Sequence, residues 1–321
     1  MQTVLGIDCA KAKFDAALLI GGKYKTKVFS NDARGFGELQ TWLNQHGSGT
    51  VHACMEATGS YHEALALFLV EAGYAVSVMN PAQIKGFAQS VLTRTKTDRV
   101  DAKLIARFCL VSTPALWTPP APEVRALQAL VSRLEALNQM RTQEGNRLAT
   151  AQPLIRGSIE KVIGLLDAEI AALKEQIRDH VDGHPGLREQ ARLLETIPGV
   201  GEATIAQLLA VVGDLARFKS ARQLAAFLGL TPRQHQSGSS VRGKTRMAKM
   251  GHAQLRKALF FPAIVATRFN PLVRAFAQRL AQARKPKMAI VGAAMRKLVH
   301  IIFGVLKSGR PFDPTMHAAC V

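Results

Sequence analysis

The sequence predicts an α/β domain followed by a helical arm and a basic, mainly helical remainder. Three observations predict this. Short apolar strands ending in acids recur over the first 110 or so residues. A run with three- and four-residue apolar spacing and no aromatic residue follows, from Val124 to Asp182. The charge then becomes one-sided: 202–321 carry 20 Lys/Arg against 3 Asp/Glu, whereas 1–201 carry 22 against 20.

In the first part, TVLGID (3–8) reads as a strand ending in an acid, and FDAALLI (14–20) and KTKVFS (25–30) follow across the turn signal Gly21-Gly22. Asn31-Asp32 caps a helix containing 35–43. TVHACMEA (50–57) is a further strand ending in an acid, 60–73 a helix stopped by glycine, and AVSVMNP (75–81) a strand closed by Asn-Pro. A short helix near 82–90, a basic loop and a helix from Asp98 to Leu110 complete this part. The Pro-rich run 118–123 marks a boundary, and DGHPG (182–186) reads as a second linker. The divisions expected are therefore 1–120, 121–185 (a helical hairpin or coiled-coil arm, with plain core helices as the alternative) and 186–321. In the last, LETIPGVGEATIAQLLAVVG (194–213) is similar to a helix-hairpin-helix, whose turn offers backbone N–H groups to a phosphate.

The net charge of +19 and pI near 10.3 point to a polyanion, nucleic acid before an anionic membrane. No uninterrupted apolar run reaches the ~20 residues of a bilayer span, and no secretory signal is expected at MQTVLGIDCAKAK. Four scattered cysteines without CxxC fit a reducing cytoplasm and no structural zinc. The expected location is the cytoplasm, on nucleic acid when bound.

GSSVRGKT (238–245) matches the phosphate-loop pattern letter for letter. It lacks the preceding buried strand, and the only acid after Lys244 is Asp313, so the magnesium partner is missing too. No ATP is expected. The same stretch sets Ser237, Ser239 and Ser240 among Arg233, Arg242, Lys244, Arg246 and Lys249. Guanidinium and ammonium groups suit phosphodiester oxygens. On the loop alone, phosphate contact without chemistry is the plainer reading.

Asp8 and Glu56 end two strands, and Asp98 and Asp101 lie at i and i+3 on one helix face. Four converging carboxylates make a hard oxygen site for Mg²⁺, as two ions or as one plus a substrate phosphate. Taken singly, each has an ordinary explanation: turn or helix capping for Asp8 and Glu56, an N-cap and first-turn acid for Asp98 and Asp101. Asp15, Asp32 and Glu63 read as surface.

The order strand–Asp, strand–Glu, Asp-x-x-Asp, then SGSSxRG resembles the DEDD transposases of insertion sequence family 110, which include the Piv-type site-specific DNA invertases. The segments that carry the resemblance are GIDCAKAKFD (6–15), MEATGSY (55–61), NPAQIKGFAQS (80–90), TKTDRVDAKLIARF (95–108), IPGVGEATIAQLL (197–209), GLTPRQHQSGSSVRG (229–243) and KSGRPFD (307–313). It implies an N-terminal RuvC-like (ribonuclease H-type) domain, a coiled-coil connection and a C-terminal transposase domain. It also implies metal-binding roles for Asp8, Glu56, Asp98 and Asp101, with Ser237 as nucleophile and Ser239 and Ser240 as loop or phosphate contacts. The implied reaction passes through a phosphoserine–DNA intermediate. The implied partners are double-stranded donor and target DNA, a structured guide (bridge) RNA and further copies of the chain, as dimer or tetramer. Two other functions fit the residues: a metal-dependent nuclease or Holliday-junction-type resolvase using the acids alone, and a non-catalytic nucleic-acid-binding regulator.

Overall fold

The computed structural model describes the chain except residues 1–2, 47–49, 58, 93–94, 96, 235, 238–240, 244, 249 and 316–321; for 236, 237, 241 and 242 it describes the backbone alone. The chain divides into two compact units, Met1–Pro119 and Pro120–Val321.

The first unit is built on five strands, β1 (Thr3–Cys9), β2 (Lys13–Ile20), β3 (Lys23–Ser30), β4 (Val51–Glu56) and β5 (Ala75–Met79), in the order β3-β2-β1-β4-β5. The pairs β1–β2 and β2–β3 are antiparallel, while β1–β4 and β4–β5 are parallel. This is the ribonuclease H-type arrangement. Side chains alternate across the sheet. Leu5, Ile7, Phe14, Leu18, Ala53 and Met55 join the core shared with α1 (Ala33–Gln45) and α2 (Glu63–Glu71). Val4, Leu19 and Cys54 face the other way, into a core with α3 (Pro81–Ser90) and α4 (Asp98–Ser112). Asp32 caps α1 by accepting from the Gly35 N–H, and Asn80 caps α3 by accepting from the Ala82 N–H.

The second unit opens with α5 (Pro122–Thr150) and α6 (Pro153–Gly183), broken apart at Gln152-Pro153, where proline cannot continue a helix. Val124, Leu127, Val131 and Leu137 of α5 are buried, as are Leu166, Ile170, Leu173, Ile177 and Val181 of α6. The expected linker at 182–186 is reduced to His184, because α7 (Pro185–Glu195) starts at once on a proline suited to a first helical turn. The turn 196–201 joins α7 to α8 (Glu202–Val212), giving the helix pair read from the sequence. Gly199 (φ +101°) is required there twice over: by its dihedral, and because a Cβ would lie 2.9 Å from the backbone of Pro262 and Ala266.

Beyond α9 (Ala221–Phe227) the sequence promises a polar loop. The structure has four two-residue strands instead: β6 (Pro232–Arg233), β7 (Gln236–Ser237), β8 (Val241–Arg242) and β9 (Arg246–Met247). β6 pairs with β9 and β7 with β8, both antiparallel. Helices α10 (Ala253–Ala258), α11 (Phe260–Phe269), α12 (Pro271–Gln282) and α13 (Lys287–Ser308) close the unit. α13 is long and apolar enough, by length and composition, to cross a membrane; its Ala294, Leu298, Val299, Ile301, Ile302 and Val305 are buried in the unit's core.

Candidate active site

Asp8 and Glu56 lie near the C-terminal ends of adjacent parallel strands, one step beyond the pair Ile7↔Met55. Such strand ends are where open α/β sheets present their functional groups. By alternation Asp8 shares the face of Val4 and Gly6, and Glu56 that of Cys54, which is the α4 face. Gly6 brings the helix close. A Cβ on Gly6 would sit 2.1 Å from the Ala102 carbonyl oxygen and 2.3 Å from the Ala106 nitrogen, so α4 rests on the bare backbone of β1. Asp98 and Asp101 begin that helix.

Thr97 rather than Asp98 is the N-cap of α4: its side chain accepts from the Val100 N–H. Asp98 and Asp101 occupy the first turn, where negative charge complements the helix dipole. The ordinary reading of Asp98 as a cap is thereby corrected, and its carboxylate is left to other partners.

Asp8 feels the charge of the other three acids. The Asp8 carboxyl is pushed up to about 6, first by burial and then by the charges of Asp101, Asp98, Glu56 and Asp15. Crowding of this kind creates a demand for cations. Lys13, at the start of β2, answers part of it: its Nζ lies 2.9 Å from Asp98 Oδ2 and 3.2 Å from Asp15 Oδ2. The hydrogen bond and charge of Lys13 hold Asp98 below the usual carboxylate range. Among the described residues, no three carboxyl, imidazole or thiol groups are drawn close enough to hold a metal ion together.

Asp15 is the residue that sequence reasoning misplaced. It is only 7% exposed and stands directly across from Asp8 in the β1–β2 ladder. The signal was present in KFDAALLI: with Phe14 and Leu18 facing one core, Asp15 must face the α4 side beside Asp8. Asp32 and Glu63 are exposed, as read.

In the second unit Ser237 is the last residue of β7 and pairs with Val241. Arg233 and Arg246 stand opposite each other across β6–β9, both exposed. Like charges placed so repel, and a polyanion relieves that. The ladder's base is fastened to the core: Arg296 of α13 donates through Nη1 to the Leu230 carbonyl at 3.2 Å, and the Ala248 N–H donates to the Thr231 carbonyl at 2.8 Å. The side chains of Ser237 and Arg242, and the residues Ser239, Ser240, Lys244 and Lys249, lie outside what is described. The acids belong to the first unit and the serine to the second.

Residues 191–278 match the family model described as Transposase IS116/IS110/IS902 family, and residues 5–152 match a second, DEDD_Tnp_IS110, described as Transposase. The chain is similar to the pilin gene-inverting proteins of Moraxella lacunata (37% identical over 98% of this chain and 99% of that one) and Moraxella bovis (36%, over the same shares). It is also similar to the transposase for insertion sequence element IS1111A of Coxiella burnetii (28%, over 80% of this chain and 75% of that one). Among solved structures, Thermus thermophilus RuvC in complex with a Holliday junction substrate aligns over 36% of this chain and 99% of its own, at 15% identity and a TM-score of 0.28. The class is thus a transposase, an enzyme of DNA recombination. Within that class, the chain belongs to the IS116/IS110/IS902 family.

Proposed function

We propose that this transposase cuts and rejoins DNA strands through a phosphoserine intermediate, with Ser237 as nucleophile and Asp8, Glu56, Asp98 and Asp101 as holders of divalent metal, Mg²⁺ above all. The observation that carries the acid half is the raised Asp8 carboxyl, pressed first by burial and then by the charges of Asp101, Asp98 and Glu56. An all-oxygen carboxylate set of this charge fits a hard divalent cation. Such an ion, when bound, polarises the scissile phosphate and steadies the charge on the leaving oxygen.

The chain's own groups do the rest. The Ser237 Oγ–phosphorus bond forms as the phosphorus–O3′ bond breaks; the serine loses its proton and the 3′-oxygen gains one. Arg233 and Arg246 hold the phosphate oxygens on either side of the ladder. A 3′-hydroxyl from the partner strand reverses the step. The ester conserves the bond energy, so no ATP is used. Sequence choice is delegated to a structured guide RNA pairing with donor and target DNA. What supports this is composition: a strongly basic second unit, with only 6% aromatic residues in the chain, suits contacts to backbone and shape more than to bases. The enzyme works as a dimer or tetramer inside the bacterial cell. Met140, Leu154, Ile155, Val162 and Leu165 are exposed along the far part of the α5–α6 hairpin, which supports pairing with a second copy through that arm.

The test is strand cleavage of labelled donor and target DNA by the full chain with guide RNA and Mg²⁺. Asp8→Asn, Glu56→Gln, Asp98→Asn and Asp101→Asn are each expected to lose at least ~100-fold, as when transition-state charge stabilisation is removed. Wild-type rates in any two of them would remove the four-acid site.

A further inference from the structure

Lys13 has no part in the function proposed above, yet it holds the only cation within hydrogen-bonding distance of Asp98 in the ion pairs described. It joins two carboxylates of very different settings. The Asp15 side chain is 10% exposed and the Asp98 side chain 54% exposed.

We propose that Lys13 is the resident counter-cation of the acid cluster: a positioning residue that ties Asp98 toward Asp15 in the ion-free site and yields Asp98 to an entering divalent ion. Asp15 is its anchor and not a metal ligand. This rests on the reading that the acids hold a metal. Burial decides which bond gives way. A buried carboxylate stripped of its cation is costly, so Lys13 keeps Asp15. Asp98, half in water, loses little on release. The lysine stem is long and rotatable, so the ammonium can leave one oxygen while remaining on the other. An ammonium and a divalent cation repel, so sharing Asp98 Oδ2 weakens the hold of each.

The experiment is Mn²⁺ binding to the full-length protein by calorimetry and by the loss of the free-ion electron paramagnetic signal, comparing wild type with Lys13→Met, Lys13→Arg and Asp8→Asn. Lys13→Met keeps the stem and removes the charge. It is expected to tighten Mn²⁺ binding about tenfold, the size expected for one unit charge acting on a divalent ion at ~5 Å in a watery site. Lys13→Arg is expected to stay near wild type. Unchanged or weaker binding by Lys13→Met overturns the proposal while leaving the metal site standing, provided that Asp8→Asn lowers the affinity. Absence of Mn²⁺ binding by wild type overturns both. Should Lys13→Met fold poorly because Asp15 is left without a cation, Lys13→Met combined with Asp15→Asn removes both charges. Binding at least as tight as wild type then supports the proposal, whereas a loss of tenfold or more marks Asp15 as a ligand and overturns it.

Discussion

Asp8→Asn offers a test of the crowded acids that needs no DNA. The Asp8 carboxyl is raised from 3.8 to about 6 in the folded chain. The folded state therefore holds this proton more tightly than the unfolded one, and the sign follows from linkage. Asp8 costs nothing well below pH 3.8, where it is protonated in both states. Its penalty grows as pH rises toward 6 and is constant above. The full shift corresponds to ~3 kcal/mol at 1.36 kcal/mol per unit. Asp8 is only partly buried, so solvent screening reduces this to roughly 1–1.5 kcal/mol. Asp8→Asn removes the charge and keeps the shape. In EDTA at pH 7.5 it is expected to stabilise the first unit by that amount, and the gain is expected to vanish well below pH 3.8. The assay is urea unfolding followed by tryptophan fluorescence. Trp42 and Trp117 are the only tryptophans of the chain and both lie in the first unit, so the signal reports that unit alone. With Mg²⁺ added the order is expected to reverse, since only the wild type gains from the ion. A variant no more stable than wild type at pH 7.5 in EDTA would refute the reasoning, for it would mean that neither burial nor the neighbouring acids penalise the Asp8 charge.

Further outcomes follow from the packing and from the ladder. Gly6→Ala places a methyl group 2.1 Å from the Ala102 carbonyl oxygen. It is expected to cost ~3 kcal/mol, at the upper end of overpacking, and to push α4 off β1; cleavage is then lost together with first-unit stability in the same fluorescence assay. Arg246→Ala is expected to weaken DNA binding without altering the fold and to flatten the plot of log K against log salt by ~0.9, one phosphate contact. Filter binding at several salt concentrations reads this, and an unchanged slope rules out a phosphate contact for Arg246.

Much of the first unit was legible because its pattern is local. TVLGID and TVHACMEA declare their strands by apolar runs, and the acid that closes each sits on the strand. The spacing of Asp98 and Asp101 announced one helix face, and Gly6 lets α4 rest close against β1. Asp15 was obscured because a single acid in an otherwise apolar strand resembles a solvent-facing position until register sets it opposite Asp8. Thr97 was overlooked as a cap because Asp98 beside it is an equally good one by residue type. The ladder at 232–247 was hidden by composition: glycine, serine and arginine carry little strand signal, and its strands are two residues each. DGHPG resembled a linker by its glycines and proline, yet proline at a helix start is as natural as proline in a loop.

The proposed nucleophile, Ser237, belongs to one unit and the acids to the other, and one measurement addresses both. Purified protein, guide RNA, labelled donor and target DNA and Mg²⁺ are incubated, quenched in detergent and run on a denaturing gel for DNA covalently attached to protein. Wild type is expected to give an adduct whose attachment maps by mass spectrometry to Ser237, and Ser237→Ala and Asp8→Ala are each expected to give none. Cleaved DNA without an adduct, with Ser237→Ala fully active, would contradict the account and leave a nuclease that works through its acids alone.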